Sequence, residues 1–207
     1  MKKRLVVMAS GSGSDMQSII DAISEGKING EIVLLICNKK DAYALERAKQ
    51  AGIRTCVVAR ADYDSVEAYF DANLAAIEDK TPDGIILAGY LSILSEKITS
   101  KYKNRIINIH PALIPSFCGK GYYGRRVHQA VIEYGAKISG ATIHFVDEQA
   151  DHGPIIMQET VPVLWDDTAD TLAARVLELE HDMLPRAVAL FCEDKLEVTD
   201  RVVKILD

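Results

Sequence analysis

The sequence is poor in the features that mark several special classes of protein. Its four cysteines, Cys37, Cys56, Cys118 and Cys192, show no CxxC spacing. That argues against a disulfide framework or a thiolate metal site and for a reducing compartment, so a cytoplasmic protein is expected. His128, His144, His152 and His181 make no metal-ligand spacing, and no metal is expected. No apolar run reaches the length of a membrane span. The basic start Met1-Lys-Lys-Arg4 and its short apolar run imitate a signal peptide. Gly11 and Gly13 follow at once, however, and a first β-strand is the better reading. Positive charge is not in excess: 24 basic and 30 acidic residues leave −6, which weakens the case for nucleic-acid or membrane partners. A phosphorylated metabolite is still allowed, because its site needs only a few aligned donors.

Internal repeats, linkers and low-complexity segments are also missing, so the 207 residues read as one α/β domain with 48% hydrophobic content for its core. Strands are predicted at Leu5–Ala9, Glu31–Cys37, Thr55–Val58 and Gly84–Ala88, with a fifth ending at His110. Helices are predicted between them, from about Met16 to Glu25, from about Tyr43 to Ala51 with Gly52 as its stop, one that Asp62-Tyr-Asp-Ser65 can cap and that runs to about Lys80, and from Ser95 to Tyr102. This alternation implies βαβ units and a mostly parallel sheet. Beyond Pro115 the order changes. The Gly-rich stretch Phe117-Cys-Gly-Lys-Gly-Tyr-Tyr123 leads into a helix from about Gly124 to Tyr134. Strands Gly140–Val146 and Pro154–Val163 have so short a connection that an antiparallel pair is expected. A long helix from Thr168 to Phe191 follows, where Pro185 predicts a kink or break, and Lys195–Val198 with Val202–Ile205 predicts a closing hairpin.

Three stretches could carry chemistry. In Arg105-Ile-Ile-Asn-Ile-His-Pro111, strand alternation puts Asn108 and His110 on one face and Ile107 and Ile109 on the other. At the carboxyl end of a parallel sheet this polar pair would stand where such sheets bind ligands, as a donor beside an acid/base. It could equally hydrogen-bond a loop. In Gly11-Ser-Gly-Ser-Asp15, glycines allow close backbone approach and the helix start favours an anion. Met16 stands where a dinucleotide fingerprint has its third Gly, and no Lys-Ser/Thr pair makes a nucleotide P-loop, so a phosphate monoester fits better. The competing reading is a tight turn capped by Ser14 or Asp15. The third stretch is the loop holding Asp151, where an isolated carboxylate is more often solvated than catalytic. His144, in the strand before it, reads as a packed residue.

Taken in order, Ala9-Ser-Gly-Ser-Gly-Ser-Asp15, Asn108-Ile-His-Pro-Ala-Leu-Ile-Pro115 and His144-Phe-Val-Asp-Glu-Gln-Ala-Asp-His-Gly-Pro-Ile-Ile156 closely resemble the phosphoribosylglycinamide formyltransferases, a folate-dependent formyltransferase family of purine synthesis. The resemblance runs from Leu5 to about Asp194 and implies a single-domain, Rossmann-like fold with helices on both faces and an antiparallel C-terminal extension. Asn108, His110 and Asp151 match the family's catalytic Asn, His and Asp. Gly13, Ser14 and Asp15 match its phosphate-binding turn, where relatives often have Asn at position 15. Glu180 matches an acidic residue that contacts the ribotide. Leu91, Ser92, Ile93 and Leu94 match the segment lining the folate pocket, to which Asn108 also belongs. Some relatives carry Arg at the positions of Val66 and Ser92, and the stretch 117–126 differs from them.

The implied reaction moves a formyl group from 10-formyltetrahydrofolate, as co-substrate, to the amine of glycinamide ribonucleotide. These two small molecules are the expected partners, and a monomer or homodimer is expected. Three alternatives stand beside it. A formyltetrahydrofolate hydrolase is expected to carry a further N-terminal domain. A methionyl-tRNA formyltransferase is expected to carry a C-terminal nucleic-acid-binding one. A binding protein without turnover has no need of Asn108, His110 and Asp151 together.

Overall fold

The computed structural model describes all 207 residues. Its first strand, Lys3–Ala9 (β1), is fully buried from Leu5 to Ala9, as a central strand covered on both faces must be. Alternation sorts its side chains. Leu5, Val7 and Ala9 enter one core, while Val6 and Met8 enter a second on the other face. The remaining strands are Gly30–Cys37 (β2), Thr55–Val57 (β3), Gly84–Leu87 (β4), Ile106–His110 (β5), Ile138–Phe145 (β6), Ile155–Pro162 (β7), Leu196–Thr199 (β8) and Val202–Ile205 (β9). They form one sheet in the order β3-β2-β1-β4-β5-β6-β7-β9-β8. β1 to β5 pair in parallel, and β5-β6 and β6-β7 are antiparallel.

Helices Ser14–Ser24 (α1), Ala44–Gln50 (α2), Arg125–Tyr134 (α5) and Ala169–Cys192 (α6) cover the first core, through residues such as Ile19, Ala48, Val131 and Val176. Val66–Glu78 (α3) and Glu96–Lys101 (α4) cover the second with Tyr69, Ile77 and Ile98. Ser65 caps α3 by accepting from the Ala68 N–H at 3.0 Å, and Gly52 follows the end of α2 at φ +70°. No helix is long and apolar enough to cross a membrane.

The expected βαβ order and antiparallel hairpin are present, with three differences. α6 runs through Pro185 without a break. Met183, Leu184, Ala187 and Val188 are buried on both sides of the proline, and that continuous apolar stripe offsets the lost hydrogen bond, which costs ~3 kcal/mol in a helix interior. The last hairpin does not stand apart but joins the sheet, with Val202 pairing Ile155 in parallel. An additional 3₁₀ turn, Arg60–Asp62, precedes α3.

The topology decides where a ligand can lie. From β1 the chain winds outward to β2 and β3, then crosses back to β4 and β5, so the strand order reverses between β1 and β4. At such a reversal the connections leave in opposite directions and open a crevice at the carboxyl ends. The loops after β1 and β4 are tied across it: Ser10 N–H donates to Gly89 O at 3.1 Å, and Leu91 N–H to Ser10 Oγ at 2.8 Å.

Candidate active site

A cavity of about 610 Å³ opens at these carboxyl ends. β5 delivers Asn108 and His110 to it, and its antiparallel partner β6 sets His144 opposite Asn108 and Thr142 opposite His110. Asn108 Nδ2 donates to His144 Nε2 at 3.0 Å, and His144 Nδ1 donates to the Phe145 carbonyl at 2.8 Å. Burial pushes the His144 pKa down, outweighing its hydrogen bond to Phe145 and the nearby Asp151 charge. The ring is therefore neutral with its proton on Nδ1, and its Nε2 lone pair orients the Asn108 amide.

His110 is 4% exposed. Its Nε2 donates to the Phe117 carbonyl at 2.9 Å, and its Nδ1 lies 3.5 Å from Asp151 Oδ2. The same carboxylate oxygen accepts the Gly119 N–H at 2.8 Å, while Asp151 Oδ1 is 3.8 Å from His144 Nε2. Asp151 thus reaches His110 from 41 residues away, and the segment Phe117–Gly119 holds both through its backbone. The direct hydrogen bond that restrains His110 comes from Phe117, since 3.5 Å to Asp151 exceeds ordinary hydrogen-bond length. His128 lines the same cavity, with its pKa pushed down to about 4 by burial and by the neighbouring His110.

A second polar group forms another part of the wall. Asp15 Oδ1 lies 3.6 Å from His181 Nε2, and neither atom has a hydrogen-bond partner in the chain. Glu180, 8% exposed, faces the cavity from α6. Burial raises the Asp15 pKa, opposed by His181, and raises that of Glu180 well above the usual carboxylate range, with Asp15 adding to the effect. Leu91, Ser92, Ile93 and Leu94 complete the lining after β4. Leu91 and Ile93 are 54% and 70% exposed, while Ser92 Oγ accepts from Asn38 Nδ2 at 2.7 Å.

Gly13 and Ser14 stand outside this lining. α1 begins without a side-chain cap, so neither Ser14 nor Asp15 caps it; Asp15 turns to His181 instead. Gly13 has φ +70°, and a Cβ there would sit 2.7 Å from the Ala44 Cβ. Close packing of α2 therefore explains this glycine, whereas Gly11 has open space around it. Of the predicted residues, Asn108, His110, Asp151, Asp15, Glu180 and Leu91–Leu94 surround one cavity. His144, His128, His181 and the Phe117–Gly119 backbone were not foreseen. For His144 the signal lay in the predicted hairpin: antiparallel pairing against the Asn108 strand makes its register calculable once that pairing is known.

Residues 3–188 match the formyl transferase family model, and the chain belongs to that family. Within it, similar proteins include a formyltetrahydrofolate deformylase from Pseudomonas syringae, with a TM-score of 0.91 at 26% identity over 100% of this chain and 67% of that one, and phosphoribosylglycinamide formyltransferases at higher identity. The chain is 41% identical over 197 residues to the chloroplastic phosphoribosylglycinamide formyltransferase of Arabidopsis thaliana, covering 95% of this chain and 68% of that one. It is 40% identical over 194 residues to the phosphoribosylglycinamide formyltransferase of Escherichia coli, covering 94% and 89%. The crystal structure of glycinamide ribonucleotide transformylase 1 from Symbiobacterium toebii matches with a TM-score of 0.94 at 39% identity, covering 100% of this chain and 95% of that one.

Proposed function

We propose that this chain transfers the formyl group of 10-formyltetrahydrofolate to the amine of glycinamide ribonucleotide, with Asn108, His110 and Asp151 as its catalytic residues. The observation that carries the reading is the meeting of these three with His144 in one cavity, at the carboxyl ends where the strand order reverses. The segment Leu91–Leu94 suits the folate, and Asp15 with Glu180 suits the ribotide.

The amine attacks the formyl carbon, the carbonyl electron pair moves to oxygen, and a tetrahedral intermediate forms. Its collapse expels the folate nitrogen, which takes up a proton as the amine loses one. The Asn108 amide, held by His144, presents its second N–H to the oxyanion. Protonated His110 presents Nε2–H, exchanging the Phe117 carbonyl for the oxyanion. Donors of this kind are worth ~3–4 kcal/mol of barrier each. Asp151 supports the charged imidazole on its Nδ1 side and accepts the amine proton through water.

The decisive measurement is tetrahydrofolate release with and without the ribonucleotide. The expected result is release only when glycinamide ribonucleotide is present, in step with formylated product. Equal release without it makes the protein a hydrolase, and no release in either case makes it a binding protein.

A further inference from the structure

The cavity has the wrong overall charge for the substrates assigned to it. Six carboxyl groups line it, and while burial drives Asp15 and Glu180 towards their neutral forms, Asp147, Glu148, Asp151 and Asp170 remain to carry negative charge. The ribotide brings a phosphate and the folate brings a glutamate carboxylate, and like charges across a partly desolvated cavity repel strongly. Only two permanent cations, Lys120 and Arg125, stand in the lining. Arg125 is already committed, with Nε 2.8 Å from Asp170 Oδ1 and Nη1 3.5 Å from Gln129 Oε1. Lys120 makes no ion pair and no side-chain hydrogen bond.

The backbone places Lys120 beside the chemistry. It directly follows Gly119, whose N–H donates to Asp151 Oδ2 at 2.8 Å. Gly119 and Gly121 flank it at φ +83° and +95°, and a Cβ on either would meet nothing within 4 Å. Glycine is needed there for backbone conformation, not for room. Lys120, exposed between these two glycines, is one of the residues lining the cavity, with a long, flexible ammonium side chain.

We propose that Lys120 is the specificity-determining cation of this cavity, receiving an anionic group of a substrate, either the ribotide phosphate or a folate glutamate carboxylate. The inference rests on the formyl-transfer reading above and extends it to a residue to which the family resemblance assigns no role.

Steady-state kinetics of Lys120→Gln and Lys120→Arg against the unmodified protein test it, with each substrate varied in turn at low and at raised salt. Lys120→Gln is expected to raise the KM of one substrate about tenfold, equivalent to ~1.4 kcal/mol of binding. The rise should shrink as salt screens the charge, and Lys120→Arg should recover most of the loss. A rise confined to glycinamide ribonucleotide assigns the phosphate to Lys120, and one confined to 10-formyltetrahydrofolate assigns the carboxylate. Unchanged KM values for both substrates overturn the proposal, and so does an Arg variant as impaired as the Gln variant, which marks a disturbed loop. An unmodified protein without ribotide-dependent turnover sinks the functional reading itself; normal turnover with a silent Lys120→Gln sinks only this inference.

Discussion

Two polar clusters border the same cavity and differ in how far the chain satisfies them. In the first, Asn108, His144, His110 and Asp151 each have a hydrogen-bond partner in the chain at 2.8–3.0 Å. In the second, Asp15 Oδ1 and His181 Nε2 have none, and burial drives both Asp15 and Glu180 towards their neutral forms. Buried polar groups normally find partners, and leaving one unpaired costs ~1–3 kcal/mol. The first cluster is thus set in position before any ligand arrives, which suits groups that act on reacting atoms. The second is incomplete within the chain, which suits groups that complete their hydrogen bonds with a substrate. Damage to the first should appear in kcat, and damage to the second in KM and in the pH dependence of stability.

The largest expected effect comes from breaking the first cluster. Asp151→Asn keeps the shape and an acceptor for the Gly119 N–H but removes the charge beside His110 Nδ1. It should lower kcat by at least ~100-fold while the thermal midpoint moves little. Full activity in this variant removes Asp151 from the mechanism. A matching fall in the midpoint assigns its role to holding the loop.

A smaller change is expected from Glu180→Gln. The ribotide KM should rise about tenfold, ~1.4 kcal/mol of binding, with kcat less affected. The same variant tests the cluster's electrostatics. Burial raises the Glu180 pKa on folding, so its contribution to stability is full below the unfolded value of about 4.3 and is lost as pH climbs through the raised folded value. Thermal midpoints across that window should fall less steeply with rising pH in the variant. Identical pH profiles would show that Glu180 does not titrate as its burial demands.

The smallest effect separates a bystander from the catalytic groups. His128 has its pKa pushed down to about 4 from the ordinary 6.5, so the unfolded chain binds a proton there that the folded one refuses. Stability from this group is full above about 6.5 and is lost as pH falls towards 4. His128→Gln should flatten the acid side of the stability profile, measured by urea unfolding. An unaltered slope would mean that His128 stays protonated in the folded protein.

Much of the fold was legible because its signals are local. The β1 run from Leu5 to Ala9, the stop at Gly52 and a cap within Asp62–Ser65, which the structure assigns to Ser65, are written in adjacent residues. The alternation that separates Asn108 and His110 from Ile107 and Ile109 is equally local, and the two isoleucines do enter the first core. Pro185 misled because the helix propensity of one residue says nothing about the buried stripe on either side of it. The turn at Gly11–Asp15 was legible as a strand-to-helix turn, but its two glycines have different reasons. Only the packing of α2 shows that Gly13 leaves no room for a Cβ while Gly11 does.

By itself, then, the sequence determined the succession of strands and helices, the face on which Asn108 and His110 stand, and the motifs that tie the chain to its family. Tertiary structure alone decided that His144 meets Asn108 across 36 residues, that Asp151 reaches His110 across 41, and that Asp15 turns from its own helix to His181. The physical reason is the range of the forces being read. Periodicity, capping and turn chemistry act between near neighbours in the chain. The register of β5 against β6 and the conformation of the loops that close over them depend on the packing of the whole sheet.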